Sequence, residues 1–569
     1  MSKDGVFEIG LVGAGAISAG AYTGGVVDFL VQALDAWYAR KARADGSVPP
    51  HDVKLSVFSG ASAGGMTAAV SAGFLGSDQP PIRNEADASN RYLLNKLFDC
   101  WVRRIDISSL LGRRDLPSDR SKVISLLDST VLREIADVGF DVVPRSRRRP
   151  YLADDFHVIL TVTNLRGVPY KIPLLGSTTQ GHLMLMHADY LHFCFNDSGL
   201  TSREDLFCLG WQDIGRGGSR PMMVEMLKLG ALASGAFPIG LAPRTILHLL
   251  TEPGRRDLYS SRLWPVPETP GEGEPCKCIS LKPIQADWSN LPDFFPYRFH
   301  CVDGGVMNNE PLDFARRILT GGDSHNPRSG AEAHRAAVLI DPFPGQQTFE
   351  PDYDPRPPDL LNTITSLFSA MKAQSRFKPD ELMLANDENI YSRFLISPKR
   401  GTSRYPIACG SLGGFGGFLK EAFRRHDFFL GRRNAQKFLK DHFRLPENNV
   451  IFTHFGDWWT QERKDRYGIR NAQTNELLLP IIPLLDDAAQ ECFDPVWPTY
   501  TPADLKTLKG QIKGRTQAVL GSLIGQYFEN SNFLVRSVIK LFAKTKEDEI
   551  VSFITEKIET DLRKMGLMV

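Results

Sequence analysis

The run Val57-Phe58-Ser59-Gly60-Ala61-Ser62-Ala63-Gly64-Gly65 leaves this chain few ways to fold. Val53 to Phe58 (VKLSVF) predicts a short buried strand. Met66 to Ala72 (MTAAVSA) predicts the first turns of a tightly packed helix. Between them stands a serine in a Gly-x-Ser-x-Gly pattern, the signature of a sharp strand-to-helix turn. Gly60 and Gly64 let backbone approach backbone there, because neither carries a Cβ. The Ser62 hydroxyl then sits at a helix N-terminus, where backbone N–H groups favour developing negative charge. That geometry suits a nucleophile. The plain alternative is a Gly/Ala/Ser-rich turn without chemistry, since the pattern arises often by chance.

Two further segments bear on the choice. Phe7 to Val12 predicts a strand, Gly24 to Trp37 a helix, and Gly13-Ala14-Gly15-Ala16-Ile17-Ser18-Ala19-Gly20 a small-residue loop between them. Such a loop offers N–H groups to an anion. A dinucleotide phosphate is one candidate, but Ser18 occupies the third glycine position of that fingerprint. The other is the oxyanion of a tetrahedral acyl intermediate. Far downstream, His300-Cys301-Val302-Asp303-Gly304-Gly305 predicts a strand ending in a carboxylate at a tight turn. A carboxylate beside a serine hydroxyl can take its proton if burial raises the carboxylate pKa. Alone, the segment also reads as an ordinary Asp-Gly turn.

Taken together, the glycine loop, Gly-x-Ser-x-Gly and Asp-Gly-Gly, in that order, resemble the patatin-like phospholipase family. Trp101 with Ile105 to Leu111, Thr161 to Tyr170, and Ala231 to Pro238 resemble further stretches of it, and the likeness spans roughly residues 5 to 345. The resemblance implies a three-layer α/β/α fold with a mainly parallel central sheet. It also implies a Ser62–Asp303 dyad, with Ser62 the nucleophile and Asp303 the general base. Gly13, Gly15, Ala16 and Ile17 would form the oxyanion hole, Gly60 and Gly64 the nucleophile elbow, and Gly304 and Gly305 the Asp-Gly-Gly turn. The substrate class it implies is an acyl ester of a phospholipid, lysophospholipid or neutral lipid. The family loop reads Gly-Gly-Gly-x-Arg/Lys-Gly, and this chain departs from it at Ala16, Ile17 and Ala19. Isoleucine and alanine tolerate positive φ poorly, so a differently shaped loop is expected. An α/β-hydrolase triad would instead need a histidine after the acid. His334, His426, His442 and His454 follow Asp303, but none carries a catalytic motif.

Composition narrows the class. With 569 residues, 42% hydrophobic and 23% charged, the chain can bury a large core. A net charge of +1 implies no general attraction to nucleic acid. Arg145-Ser146-Arg147-Arg148-Arg149 is a local basic loop, read first as solvated and second as a contact for lipid headgroups. Eight scattered cysteines, with Cys276 and Cys278 the close pair, predict free thiols in a reducing compartment and no zinc site. No calcium loop pattern is present, so no metal and no cofactor are expected. The polar start Met1 to Asp4 suggests no signal peptide. Leu229 to Ala242 comes nearest to the roughly 18–20 apolar residues of a membrane span, and Pro238 breaks it. A cytoplasmic protein with peripheral membrane contact is the expectation.

Two units joined by a linker are drawn along the chain. Residues 5–345 form the candidate catalytic domain, with 251–296 a Pro/Gly-rich surface insertion. Pro351 to Pro358 reads as a linker. Residues 359–569 form a mostly helical C-terminal region. In it, Gly410 to Phe418 alternates Phe and Gly, and Phe423 to Asn434 carries an Arg-x-His-Asp-Phe…Leu-Gly-Arg-x-Asn stretch resembling bacterial patatin-like proteins with long C-terminal halves. In the tail, Val551, Ile554, Ile558, Leu562 and Met565 share one helix face. That face is expected to pack on the body, with membrane docking or self-association as the second reading. The functional expectation is a lipid acyl hydrolase of phospholipase A or lysophospholipase type. The alternatives are a catalytically weak homologue serving as a lipid-binding scaffold, or an acyltransferase.

Overall fold

A computed structural model describes residues 5–118, 121–172, 182–203, 205–215, 221–249, 259, 262–267, 279–289, 291, 296–321, 326–344, 370, 391–471, 474–527 and 533–568. The linker expected at 351–358 lies outside these residues, as do Cys276, Cys278 and most of the insertion expected at 251–296. The described part of that insertion includes an antiparallel strand pair, Leu263–Pro267 with Ile279–Pro283.

Among the described residues nine strands build the central sheet: β1 (Val6–Gly13), β2 (Asp52–Gly60), β3 (Leu152–Ile172), β4 (His182–Asn196), β5 (Phe207–Gly210), β6 (Arg244–Leu249), β7 (Pro296–Asp303), β8 (Arg335–Ile340) and β9 (Arg393–Ile396). Their order is β9-β8-β1-β2-β3-β4-β5, with β7 beside β3 and β6 beside β7. The ladders β8·β1, β1·β2, β2·β3, β8·β9 and β4·β5 are parallel, and β3·β4, β3·β7 and β6·β7 antiparallel. The protein is thus a mixed α/β fold with a mainly parallel central sheet and a helical C-terminal region. The sheet does not stop at residue 345, because β9 extends its edge by pairing Ala337 to Ile340 with Arg393 to Ile396.

Helices cover both faces. Along β8, Ala336, Val338 and Ile340 belong to one apolar cluster, and Ala337 and Leu339 to another. This is the period-two alternation of a strand buried on both sides. The first face is covered by α1 (Gly20–Lys41) and by α5 (Glu421–Asp441) from the C-terminal region, the second by α4 (Leu312–Thr320). The helices α2 (Ala63–Leu75) and α3 (Pro221–Ser234) complete the first layer. α1 and α5 cross at near backbone contact. A Cβ on Gly25 would lie 1.9 Å from the Phe428 carbonyl oxygen, and one on Gly431 would lie 2.2 Å from that of Tyr22. This is the packing role of the Leu430-Gly431 step within the Arg-x-His-Asp-Phe stretch.

The helix Ile17–Lys41 is long and apolar enough to cross a membrane, unlike the Leu229–Ala242 segment singled out from sequence. Its apolar window is 94% buried inside the protein, so its hydrophobicity is spent on the core. The last helices, α6 (Pro502–Tyr527) and α7 (Phe533–Lys564), pack on each other and on the body. Val551, Ile558, Leu562 and Met565 are buried as expected, while Ile554 is 36% exposed. The basic loop departs from the solvated reading at Arg149, which is 2% exposed. Its guanidinium donates to the carbonyls of Leu75 and Ser77 at 2.5 and 2.9 Å and pairs with Asp35, so it caps the C-terminus of α2. Among the described residues Cys100, Cys194, Cys208, Cys301, Cys409 and Cys492 form no disulfide.

His51 ties the N-terminal strands to the C-terminal region. Its Nε2 meets the Ile481 carbonyl at 2.9 Å, and its ring packs on Trp37 and Phe452. Burial pushes its pKa down to about 4, opposed by that hydrogen bond. The folded value lies below the unfolded one of about 6.5, so the unfolded chain binds the extra proton first. Stability is therefore expected to fall as pH drops from about 6.5 to about 4, by about 3 kcal/mol from this group. Denaturant titrations across that range check it. His51→Gln should flatten the profile, and an unchanged slope would remove His51 from the account.

Candidate active site

Register brings the two chemical groups together. β2 pairs with β3 as far as Gly60 opposite Leu160. Beyond that point β7 takes the vacated side of β3, with Asp303 opposite Val162. The carboxylate therefore arrives just past the C-terminal end of β2, where the chain turns through Ala61 and Ser62 into α2. Ligands of open α/β sheets gather at the carboxyl ends of strands.

Ser62 has φ 53° and ψ −127°, a strained backbone at the N-terminus of the 13-residue helix α2. Its Oγ donates to Asp303 Oδ2 at 2.6 Å, and the two residues are 6% and 5% exposed. Asp303 Oδ1 accepts the Gly305 N–H at 2.7 Å, which fixes the carboxylate plane. The Gly304-Gly305 turn thus orients the acid. Gly64 can only be glycine: a Cβ there would lie 2.1 Å from the Gly13 carbonyl oxygen. That same carbonyl accepts the Ala61 N–H at 3.1 Å, so the Gly13 loop and the Gly60–Gly64 elbow form one unit.

The loop after β1 lies beside the serine, and Gly15, Ile17 and Ser62 line a common cavity. Gly15 gives its N–H to the Asn309 carbonyl at 3.1 Å. Ala16 caps a short 3-10 turn, Ile17–Ala19, and the first N–H groups of a helical start have no partner within it. Ile17 adopts φ 50°, the conformation that isoleucine tolerates poorly.

Two residues gain positions here that their sequence segments did not signal. The Ser234 hydroxyl, at the end of α3, accepts the Ser62 N–H at 3.0 Å. Asn309 holds Gly15 through its carbonyl and lines the cavity. Ser234 falls in Ala231 to Pro238, a stretch noted for another reason, and Asn309 follows the Asp-Gly-Gly turn; only the fold turns them inward.

The cavity has a volume of about 910 Å³ and runs from Ser62 and Asp303 to the faces of α6 and α7. Its walls are almost wholly apolar, including Leu127, Phe237, Phe415, Ile512, Val519 and Ile558. Arg515, the cation on its wall, is bound to Asp115 at 2.5 and 2.8 Å and to three backbone carbonyls. A smaller inner pocket beside Ser62 is bordered by Trp101, Ile105 and Leu110. None of His334, His426, His442 and His454 borders either space. Among the described residues there is no His/Cys/Asp/Glu group able to hold a metal ion.

Fold and site together define an α/β protein with a buried serine–carboxylate pair opening on a large apolar cavity. No family model matches the chain. It is 36% identical over 565 residues to the uncharacterized protein y4iI of Sinorhizobium fredii (strain NBRC 101917 / NGR234), a match covering 91% of this chain and 76% of that protein. The chain belongs to the same family as that protein.

Proposed function

We propose that this protein is a patatin-like lipid acyl hydrolase using Ser62 as nucleophile and Asp303 as general base. The observation that carries the reading is the 2.6 Å hydrogen bond from Ser62 Oγ to the Asp303 carboxylate, at a strained elbow facing the apolar cavity. Asp303 Oδ2 takes the hydroxyl proton as Oγ attacks an ester carbonyl. The oxyanion forms toward the N–H groups at Ala16 and Ile17 and the N-terminus of α2. The alcohol leaves with the proton from Asp303, giving an acyl-Ser62 ester. A water, deprotonated by the same carboxylate, then frees the acid. No histidine is needed, because a buried carboxylate can serve as the base.

The cavity supports an acyl chain as the recognised group. Its size falls within the roughly 300–1,000 Å³ range of ligand pockets. Covalent labelling by a fluorophosphonate tests the chemistry: wild type should label and Ser62→Ala should not. Equal labelling of both would place the reactive nucleophile elsewhere. A second expectation concerns chain length. Ile512→Trp fills the cavity from α6, so hydrolysis of a palmitoyl ester should fall by about 10-fold relative to a butyryl ester. An unchanged ratio of kcat/KM values would exclude the cavity as the acyl site.

A further inference from the structure

The C-terminal segment Ala408–Phe418 lies across the loop after β1, and buried polar bonds fasten it there. Ser18 is fully buried. Its hydroxyl donates to the Gly414 carbonyl at 2.5 Å and accepts the Gly417 N–H at 3.0 Å. It therefore bridges the loop to the segment with both of its hydrogen-bonding functions. The segment in turn is held from α5. Asp427, fully buried, accepts the N–H groups of Ala408 and Cys409 at 2.9 and 2.8 Å. Arg424, 1% exposed, donates to the Gly417 carbonyl at 2.6 Å and to the Val102 carbonyl at 3.0 Å. Phe415 closes the contact, standing edge-on to Phe237 at 5.3 Å on the wall of the Ser62 cavity.

Both sides of the bridge hold strained backbone, and Leu412 in the segment has φ 55°. Ile17, immediately before Ser18, holds φ 50°. Such a backbone is unfavourable for a β-branched residue and persists only where its surroundings over-determine it. The Ala19 N–H to Ala16 carbonyl bond spans Ile17 within the loop, and the Ser18 bridge adds a restraint from outside it.

We propose that Ser18, Asp427 and Arg424 are positioning residues for the Ser62 reaction, acting through the segment Ala408–Phe418 as a strap that holds the Ala16–Ile17 backbone in oxyanion-stabilising geometry. The proposal rests on the acyl-hydrolase reading. It gives the Arg424-x-His426-Asp427 stretch a role: α5 binds the strap, the strap binds Ser18, and Ser18 fixes the donors beside Ser62. None of the three touches the reacting atoms.

The test measures the second-order rate of fluorophosphonate labelling of the full chain, together with reversible binding of a fluorescent long-chain fatty acid and the thermal midpoint. Ser18→Ala should slow labelling by about 10- to 100-fold while fatty-acid affinity stays within about twofold, the pattern of a misplaced donor. Asp427→Asn, which acts from the far end of the strap, should slow labelling in the same sense and leave fatty-acid binding intact. A merely structural role would lower both readouts in step with the folded fraction. Wild-type labelling rates in both variants, or parallel loss of labelling and fatty-acid binding in both, would overturn the strap alone. A wild type that binds fatty acid but does not label would overturn the acyl-hydrolase reading, and the strap with it.

Discussion

Asp303→Asn should slow acylation of Ser62 by about 10²- to 10⁴-fold, the range of a removed general base. The amide is isosteric and can still accept the Gly305 N–H through Oδ1, so the turn that orients it survives. What it cannot do is take the proton of the Ser62 hydroxyl, whose Oγ lies 2.6 Å from Oδ2 in the wild type. Both residues are nearly inaccessible to solvent, so bulk water is a poor substitute. The readout is the burst of p-nitrophenol released from a p-nitrophenyl ester in a single turnover. The thermal midpoint, measured in parallel, should stay close to that of the wild type. A variant that acylates at the original rate would show that Asp303 only orients Ser62. The unfolding control matters because Asp303 also anchors β7: its N–H donates to the Ala236 carbonyl and its own carbonyl accepts the Thr163 hydroxyl. The substitution leaves these backbone bonds in place.

The second large effect is on stability. Asp28 on α1 and Arg432 on α5 form an ion pair in which the side chains are 0% and 2% exposed. Asp28 also accepts from Asn95 Nδ2 at 2.7 Å and from the Ile82 N–H at 3.2 Å, and Arg432 donates to Gln32. Removing one partner leaves the other charge buried and unpaired, which costs about 3–5 kcal/mol. Asp28→Asn should lose that much in urea unfolding. The double variant Asp28→Leu/Arg432→Met should recover a large part of it, since a buried pair replaced by apolar groups of similar volume is often neutral. A single substitution costing less than about 1 kcal/mol would mean that the pair behaves like a solvated one. Because α1 begins directly after the Gly13–Ala19 loop, the pair also joins the site-bearing N-terminal layer to the C-terminal region.

How much of this was legible in the residues follows from the range of the interactions involved. Strand, turn and helix around Ser62 are written locally: apolar strand, small residues, and glycines where no Cβ fits. The same holds for β1 with its loop, and for the Asp-Gly-Gly turn, whose Gly305 N–H binds its own neighbour Asp303. The amphipathic tail is legible too, because Val551, Ile558 and Leu562 repeat with the period of a helix and are buried on that face. The extents were less so. β3 runs through Leu152–Ile172, and its antiparallel pairing with β4 continues on either side of a register shift between Thr163 and Val168.

The remaining features depend on contacts between residues far apart in the chain. The pairing of Ser62 with Asp303 spans 241 positions and is set by β7 taking the side of β3 that β2 leaves. The Ser234 hydroxyl reaches Ser62 across 172 positions, and no local pattern marks it. The boundary drawn near residue 345 follows a real change in composition, yet β9 crosses it, because an edge strand is recruited by ladder hydrogen bonds and not by its sequence neighbourhood. The Phe/Gly alternation at 410–418 and the buried charges of α5 name no partner when read alone. A short polar side chain such as Ser18 has no pattern of its own, and its partner is chosen by whichever backbone the fold brings within 3 Å, here Gly414 and Gly417. Local chemistry is written in neighbouring residues, since propensity, glycine sterics and helix periodicity act within a few positions. The tertiary structure decided which groups meet, because burial and strand register act across the whole chain.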